Sequence, residues 1–78
     1  MPPFPSVSAS ALQRILERSL GYYVHTQRGS HKKMRSSRGY PQLTFAFHAG
    51  AELPPGLVRK ILTKDVGLTV ETALQLLE

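Results

Sequence analysis

Apolar residues recur along this 78-residue chain in two rhythms. Between Ala9 and Leu20 they fall at Leu12, Ile15, Leu16 and Leu20, with Gln13, Arg14, Glu17 and Arg18 in between. Spacings of three and four predict an amphipathic helix. Ser8 and Ser10 both qualify as its N-cap, Ser8 with a Val7 to Leu12 staple and Ser10 with Gln13 as capping-box partner. Gly21, with apolar Tyr22 behind it, predicts a left-handed stop. The rhythm then changes to two. Tyr22 to Gln27 predicts a strand with Tyr22, Val24 and Thr26 on one face and Tyr23, His25 and Gln27 on the other. A turn at Gly29-Ser30 leads into a second strand, from about Ser30 to Arg35, that sets His31, Lys33 and Arg35 against Lys32 and Met34. Ser36-Ser37-Arg38-Gly39 predicts another turn. From Leu43 to His48 a third strand is expected, with Leu43, Phe45 and Phe47 inward and Thr44, Ala46 and His48 reversed.

The helical period returns after a loop, Ala49 to Leu53. Pro54-Pro55 opens a helix that buries Leu57, Val58, Ile61 and Leu62, exposes Arg59, Lys60 and Lys64, and stops at Gly67. Thr69 is the expected cap of a short last helix, Val70 to Leu77, with Val70, Ala73, Leu74 and Leu77 apolar and Glu71 in its first turn. The order α-β-β-β-α plus a C-terminal helix predicts an α+β fold. Its expected form is a three-stranded antiparallel sheet with both main helices on one face and the other face open. The length suits a single domain over residues 1–78, and prolines at positions 2, 3 and 5 make residues 1–6 an extended arm. Tyr22, Tyr23, Phe45 and Phe47 are all expected in the core.

Charge adds what periodicity cannot. The formal net charge is +5. Arg28, Lys32, Lys33, Arg35 and Arg38 account for the same surplus, and no Asp or Glu occurs between Glu17 and Glu52. So dense an acid-free block, in a chain of pI near 10.1, points to a polyanionic partner, nucleic acid before an anionic membrane. A basic amphipathic helix would favour the membrane, but the basic block has strand spacing. The absence of cysteine excludes a disulfide scaffold and thiolate metal sites. No signal peptide or spanning helix is apparent, so the expected location is the cytoplasm.

His31 sits at the start of this block and shares its face with Lys33 and Arg35. RNA carries its own nucleophile, the 2′-hydroxyl, so cleavage needs in-line positioning, a group that moves a proton near neutral pH, and positive charge on the developing phosphorane. His31 fits the second role. Arg28, Lys32, Lys33, Arg35 and Arg38 fit the third, with Ser30 able to donate to a phosphate oxygen and Gly29 allowing close backbone approach. No histidine pair has a metal-binding spacing such as His-x-x-x-His, so neither a metal nor any small-molecule cofactor is expected. His25 and His48 read as peripheral.

Leu20-Gly21-Tyr22 after an amphipathic helix, Arg28-Gly29-Ser30-His31 at a strand start, and His48 followed by Glu52-Leu53 form part of a longer pattern. With Pro55-Gly56-Leu57-Val58-Arg59-Lys60-Ile61-Leu62 and Val66-Gly67-Leu68-Thr69-Val70-Glu71, the chain resembles the HicA toxins of toxin–antitoxin pairs. Two positions depart from the family's usual pattern: Ala46, where a proline is common, and Ala51, where a basic residue is common. The resemblance implies a fold similar to the double-stranded-RNA-binding domain and metal-independent cleavage of mRNA dependent on the histidine of Gly-Ser-His, here His31. It also implies silencing by a HicB-like antitoxin. The alternatives are a non-catalytic double-stranded-RNA or nucleic-acid-binding module on the same fold, or an assembly subunit whose basic face docks an acidic partner.

Overall fold

A computed structural model describes residues 3–78. Helix α1 spans Ala9–Leu20 and buries Ala9, Leu12, Leu16 and Leu20. Each fully buried leucine contributes roughly 1.5 to 3 kcal/mol through removal from water. Ile15, expected on the same stripe, lies at its margin and is half-buried. The N-cap is Ser8, whose Oγ accepts from Ala11 N–H at 3.2 Å. Gly21 closes the helix at φ 70°. A Cβ there would stand 2.8 Å from Ser37 Oγ and 3.0 Å from Arg38 Cγ, so glycine is required by backbone conformation and by space.

The three-stranded antiparallel sheet follows as β2 (Tyr22–Arg28), β3 (His31–Ser36) and β4 (Leu43–Ala46), side by side in that order. Tyr22, Met34, Leu43 and Phe45 are buried on one face. Helix α1 and the helices after β4 complete the core over that face. The remaining face is open, as an α-β-β-β-α sequence predicts. The third strand is shorter than its apolar alternation suggested. It stops at Ala46, Phe47 continues as half-buried chain packed edge-on against Phe45 with centroids 5.1 Å apart, and His48 lies beyond the sheet.

The expected loop before the second helix contains a strand. Glu52–Leu53 (β5) pairs antiparallel with Val7–Ser8 (β1), Val7 opposite Leu53 and Ser8 opposite Glu52. The same chain passage receives the start of α1, where Ala9 N–H donates to Ala51 O at 2.8 Å and Ser10 N–H to Ala49 O at 3.1 Å. Two of the four unpaired donors of that helix end are thereby satisfied. Of the expected N-terminal arm, Met1 and Pro2 lie outside the described residues, and Phe4 is buried in the core.

Helix α2 covers only Pro55–Lys60 and passes into a π-helical segment, Ile61–Asp65, in which Val66 N–H donates to Ile61 O five residues back at 2.9 Å. The wider turn still buries Ile61, Leu62 and Val66. Leu57, expected in the core, is half-buried. Helix α3, Val70–Leu76, is capped by Thr69 Oγ1, which accepts from Thr72 N–H at 3.1 Å, and it buries Ala73. Among the described residues no helix is long and apolar enough to cross a membrane.

Candidate active site

The site is built on the β2–β3 hairpin. Arg28 pairs with His31 across the two-residue turn Gly29-Ser30. Gly29 has φ 61° and no described non-glycine residue has positive φ, so the turn takes its one left-handed position where glycine stands first. Space is open around Gly29, so a ligand can approach the backbone there. Gln27 Nε2 donates to Gly29 O at 2.9 Å and braces the turn.

Residues directly opposite one another on antiparallel strands share a face. His31 lies between Arg28 on β2 and Ala46 on β4, Lys33 between Thr26 and Thr44, and Arg35 beside Tyr23. His31, Lys33, Arg35, Arg28, Thr26 and Thr44 are all exposed on this face, and no carboxylate is among them. An open depression of about 700 Å³ is lined by Thr26, Gln27, Arg28, His31, Lys33 and Thr44. Ala46 is small and half-buried, which leaves room beside the imidazole. The only ion pair among the described residues, Lys60 to Asp65 at 3.4 Å, is elsewhere, so no acid neutralises these cations.

The strand pairing corrects one feature of the expected β2. Its register shifts between Val24 and Thr26, leaving His25 as an extra, bulged residue. Alternation therefore reverses half-way along the strand. Thr26, expected on the core face with Tyr22 and Val24, joins the open face, while Gln27 takes the helix side opposite Lys32. Tyr23 is a second correction: it is 47% exposed on the open face and contributes nothing to the core.

The basic block is divided between two places. Arg28, Lys33 and Arg35 accompany His31, with Gly29 and Ser30 at the turn beside them. Lys32 projects to the opposite face, where its Nζ donates to Gln13 Oε1 of α1 at 2.8 Å. Arg38 closes the end of α1 by donating from Nη1 to Ser19 O at 2.9 Å. Ser36 Oγ donates to Leu20 O at 2.6 Å, and Ser37 N–H to Gly21 O at 2.9 Å, completing that cap. His25 and His48 are exposed, and no cluster of three or more His, Asp or Glu side chains occurs among the described residues.

The surface thus presents one imidazole among unpaired cations on an open, acid-free sheet face. The sequence model of the family described as HicA toxin of bacterial toxin–antitoxin matches residues 9–68, from the first residue of α1 past the π-helical segment. The chain belongs to the HicA toxin family. The hairpin, its turn and His31 all fall inside the matched stretch, whereas Phe4, β1 and α3 fall outside it. No curated protein and no solved structure was found to match the chain. Membership makes this protein the toxin of a toxin–antitoxin pair, in a family whose members are generally ribonucleases and whose partner is an antitoxin of HicB type.

Proposed function

We propose that this HicA toxin is a metal-independent endoribonuclease that cuts mRNA in the cytoplasm, with His31 as the group that moves the proton. The observation that carries the reading is the position of His31, exposed between Arg28 and Ala46 on a face bearing cations and no acid. In the reaction the 2′-oxygen attacks the adjacent phosphorus as its proton passes to the imidazole. The bond from phosphorus to the 5′-oxygen breaks, that oxygen takes a proton from water while the imidazolium returns its own to solvent, and a 2′,3′-cyclic phosphate and a 5′-hydroxyl remain. Lys33 and Arg28 stabilise charge on the phosphorane oxygens, and Ser30 and the backbone at Gly29 support a neighbouring phosphate. Arg35 holds the strand further along. Lys32 and Arg38, engaged with α1, strengthen the field at the hairpin more than they touch RNA directly.

The whole chain, residues 1–78, acts in this reading as a single RNA-binding and RNA-cleaving domain resembling the double-stranded-RNA-binding fold. A HicB-like antitoxin neutralises it by covering the Gly29 to Arg35 region with an acidic surface, which also stabilises so small a domain by mass action.

The test pairs single-turnover cleavage with equilibrium RNA binding. His31→Ala should lose about 10²- to 10⁴-fold in cleavage, the usual contribution of general acid–base catalysis, while its RNA affinity changes little. Wild-type cleavage should continue in excess chelator and leave the cyclic phosphate or its 3′-phosphate hydrolysis product, whereas a metal-activated water commonly leaves a 5′-phosphate. Wild-type rates in His31→Ala would defeat the assignment. Loss confined to His48→Ala would transfer the role to that residue, and binding without any cutting would favour the non-catalytic module.

A further inference from the structure

Tyr22 and Tyr23 are neighbours with opposite fates. Tyr22 is buried, stacks against Tyr40 at 6.4 Å and donates its hydroxyl to Pro41 O at 2.6 Å. Tyr23 is the one large hydrophobic residue exposed among the described residues. It stands on the open face directly opposite Arg35, which is itself oriented by a 3.1 Å bond from its Nε to Gln42 Oε1.

The bulge at His25 makes this arrangement possible. Tyr23 and Arg28 are an odd number of residues apart, so on a regular strand one of them would face the core. The extra residue puts both on the open face, Tyr23 at one end and Arg28 at the other. Arg35 lies four positions along β3 from His31, which at the rise of an extended strand places Tyr23, opposite Arg35, about 13 Å along the sheet from the histidine. Fully stacked nucleotides advance about 3.4 Å each, so the ring lies within about four nucleotides of a phosphate at His31. Between them Lys33, Thr26 and Thr44 provide one cation and two hydroxyls along the path.

An exposed aromatic ring at one end of a basic track is how proteins hold unpaired bases, because every base has a π face and the phosphates follow the cations. A duplex has no such face to offer, since its bases are already stacked within it. We propose that Tyr23 is the stacking platform for an unpaired base near the scissile phosphate, and that the toxin's substrate is single-stranded RNA at the site of cutting. The proposal rests on the reading of His31 as the cleavage centre for the location of the RNA. It adds a positioning residue and a substrate class.

The experiment measures RNA affinity in the His31→Ala background, where the strand survives, for one sequence presented single-stranded and as a duplex. Tyr23→Leu should weaken single-strand binding about 5- to 150-fold, the effect of removing one base–aromatic stack, and Tyr23→Phe should leave it little changed. A 2-aminopurine placed along the strand should lose fluorescence on binding to the parent and to Tyr23→Phe, and keep it with Tyr23→Leu. Undiminished binding in Tyr23→Leu overturns the proposal, as does equal loss in Tyr23→Phe, a duplex bound as tightly as the single strand, or the absence of RNA binding altogether. Cleavage is followed separately with His31 intact. If the affinity pattern holds but wild type cuts nothing, stacking stands and the nuclease reading falls; if wild type cuts but Tyr23→Leu binds normally, the reverse is true.

Discussion

The two faces of the β2–β3 hairpin draw on neighbouring residues and put them to opposite use. On the core side, Lys32 is bonded to Gln13, Met34 is fully buried and Ser36 closes the end of α1. On the open side, His31, Lys33 and Arg35 are exposed, and none of them is paired with an acid. Adjacent lysines and adjacent tyrosines are divided in the same way. What the contrast teaches is that local density of charge or aromatic residues does not locate a site. The strand's alternation assigns each residue to structure or to the surface, and one bulge can reassign half of β2.

The largest effect that separates the faces should come from Met34→Ala. It leaves a hole under the hairpin and should cost about 2 to 5 kcal/mol in urea denaturation. Lys33→Ala, one residue away, should stay within about 0.5 kcal/mol of wild type. Equal losses would mean that both faces support the fold. The next effect belongs to Tyr22, whose phenol is pushed up from 10.0 to about 12 by burial first, then by Tyr40 and Asp65. Below pH 10 the phenol is protonated whether the chain is folded or not, so its contribution is complete. Between pH 10 and about 12 only the unfolded chain ionises, and stability should fall as the pH rises through that range. Urea titrations across that range should show this part of the decline missing in Tyr22→Phe. A decline as steep in that variant as in wild type would remove Tyr22 as its source.

The smallest effect is the most discriminating. Replacing Lys33 and Arg35 by Gln should reduce the slope of log affinity against log salt by about 1.4 to 1.8, as expected for two lost phosphate contacts. Lys32→Gln should leave that slope nearly unchanged. An equal flattening per lysine would show that RNA senses the block as a whole and not one face of it.

Much of this was legible in the sequence because the signals are local and redundant. Helix α1 has period, cap and glycine stop in agreement, and Gly29-Ser30 between alternating strands fixes where the hairpin turns, hence which residues share the face of His31. The bulge at His25 left no such mark, since Val24-His25-Thr26 alternates like any strand and only the pairing with β3 reveals the extra residue. The β1–β5 pair is two residues on each side, too short for a period to register. Tyr23 was misplaced for a related reason: an aromatic in a strand favours the core on average, and only the sheet's orientation shows that its side faces solvent. The block from Arg28 to Arg38 was visible as charge, and alternation already set Lys32 apart from His31, Lys33 and Arg35, but the partners that engage Lys32 and Arg38, Gln13 and Ser19 of α1, are distant in sequence.

The cap that Ser36, Ser37 and Arg38 place on α1 also bears on how the hairpin moves. At that end β3 is fastened to the helix through the carbonyls of Ser19, Leu20 and Gly21. At the other end it leaves β2 through a two-residue turn with open space around it, while β4, with Ala46 opposite His31, and the Lys32 bond to Gln13 of α1 hold the strand itself. Local opening is cheapest where the fewest contacts must be given up, so in hydrogen exchange the Gly29-Ser30 turn should open before the strands on either side of it. The histidine therefore stands one residue from a yielding turn on a strand held at both ends, so the turn can adjust to a phosphate without disturbing the helix that anchors the fold.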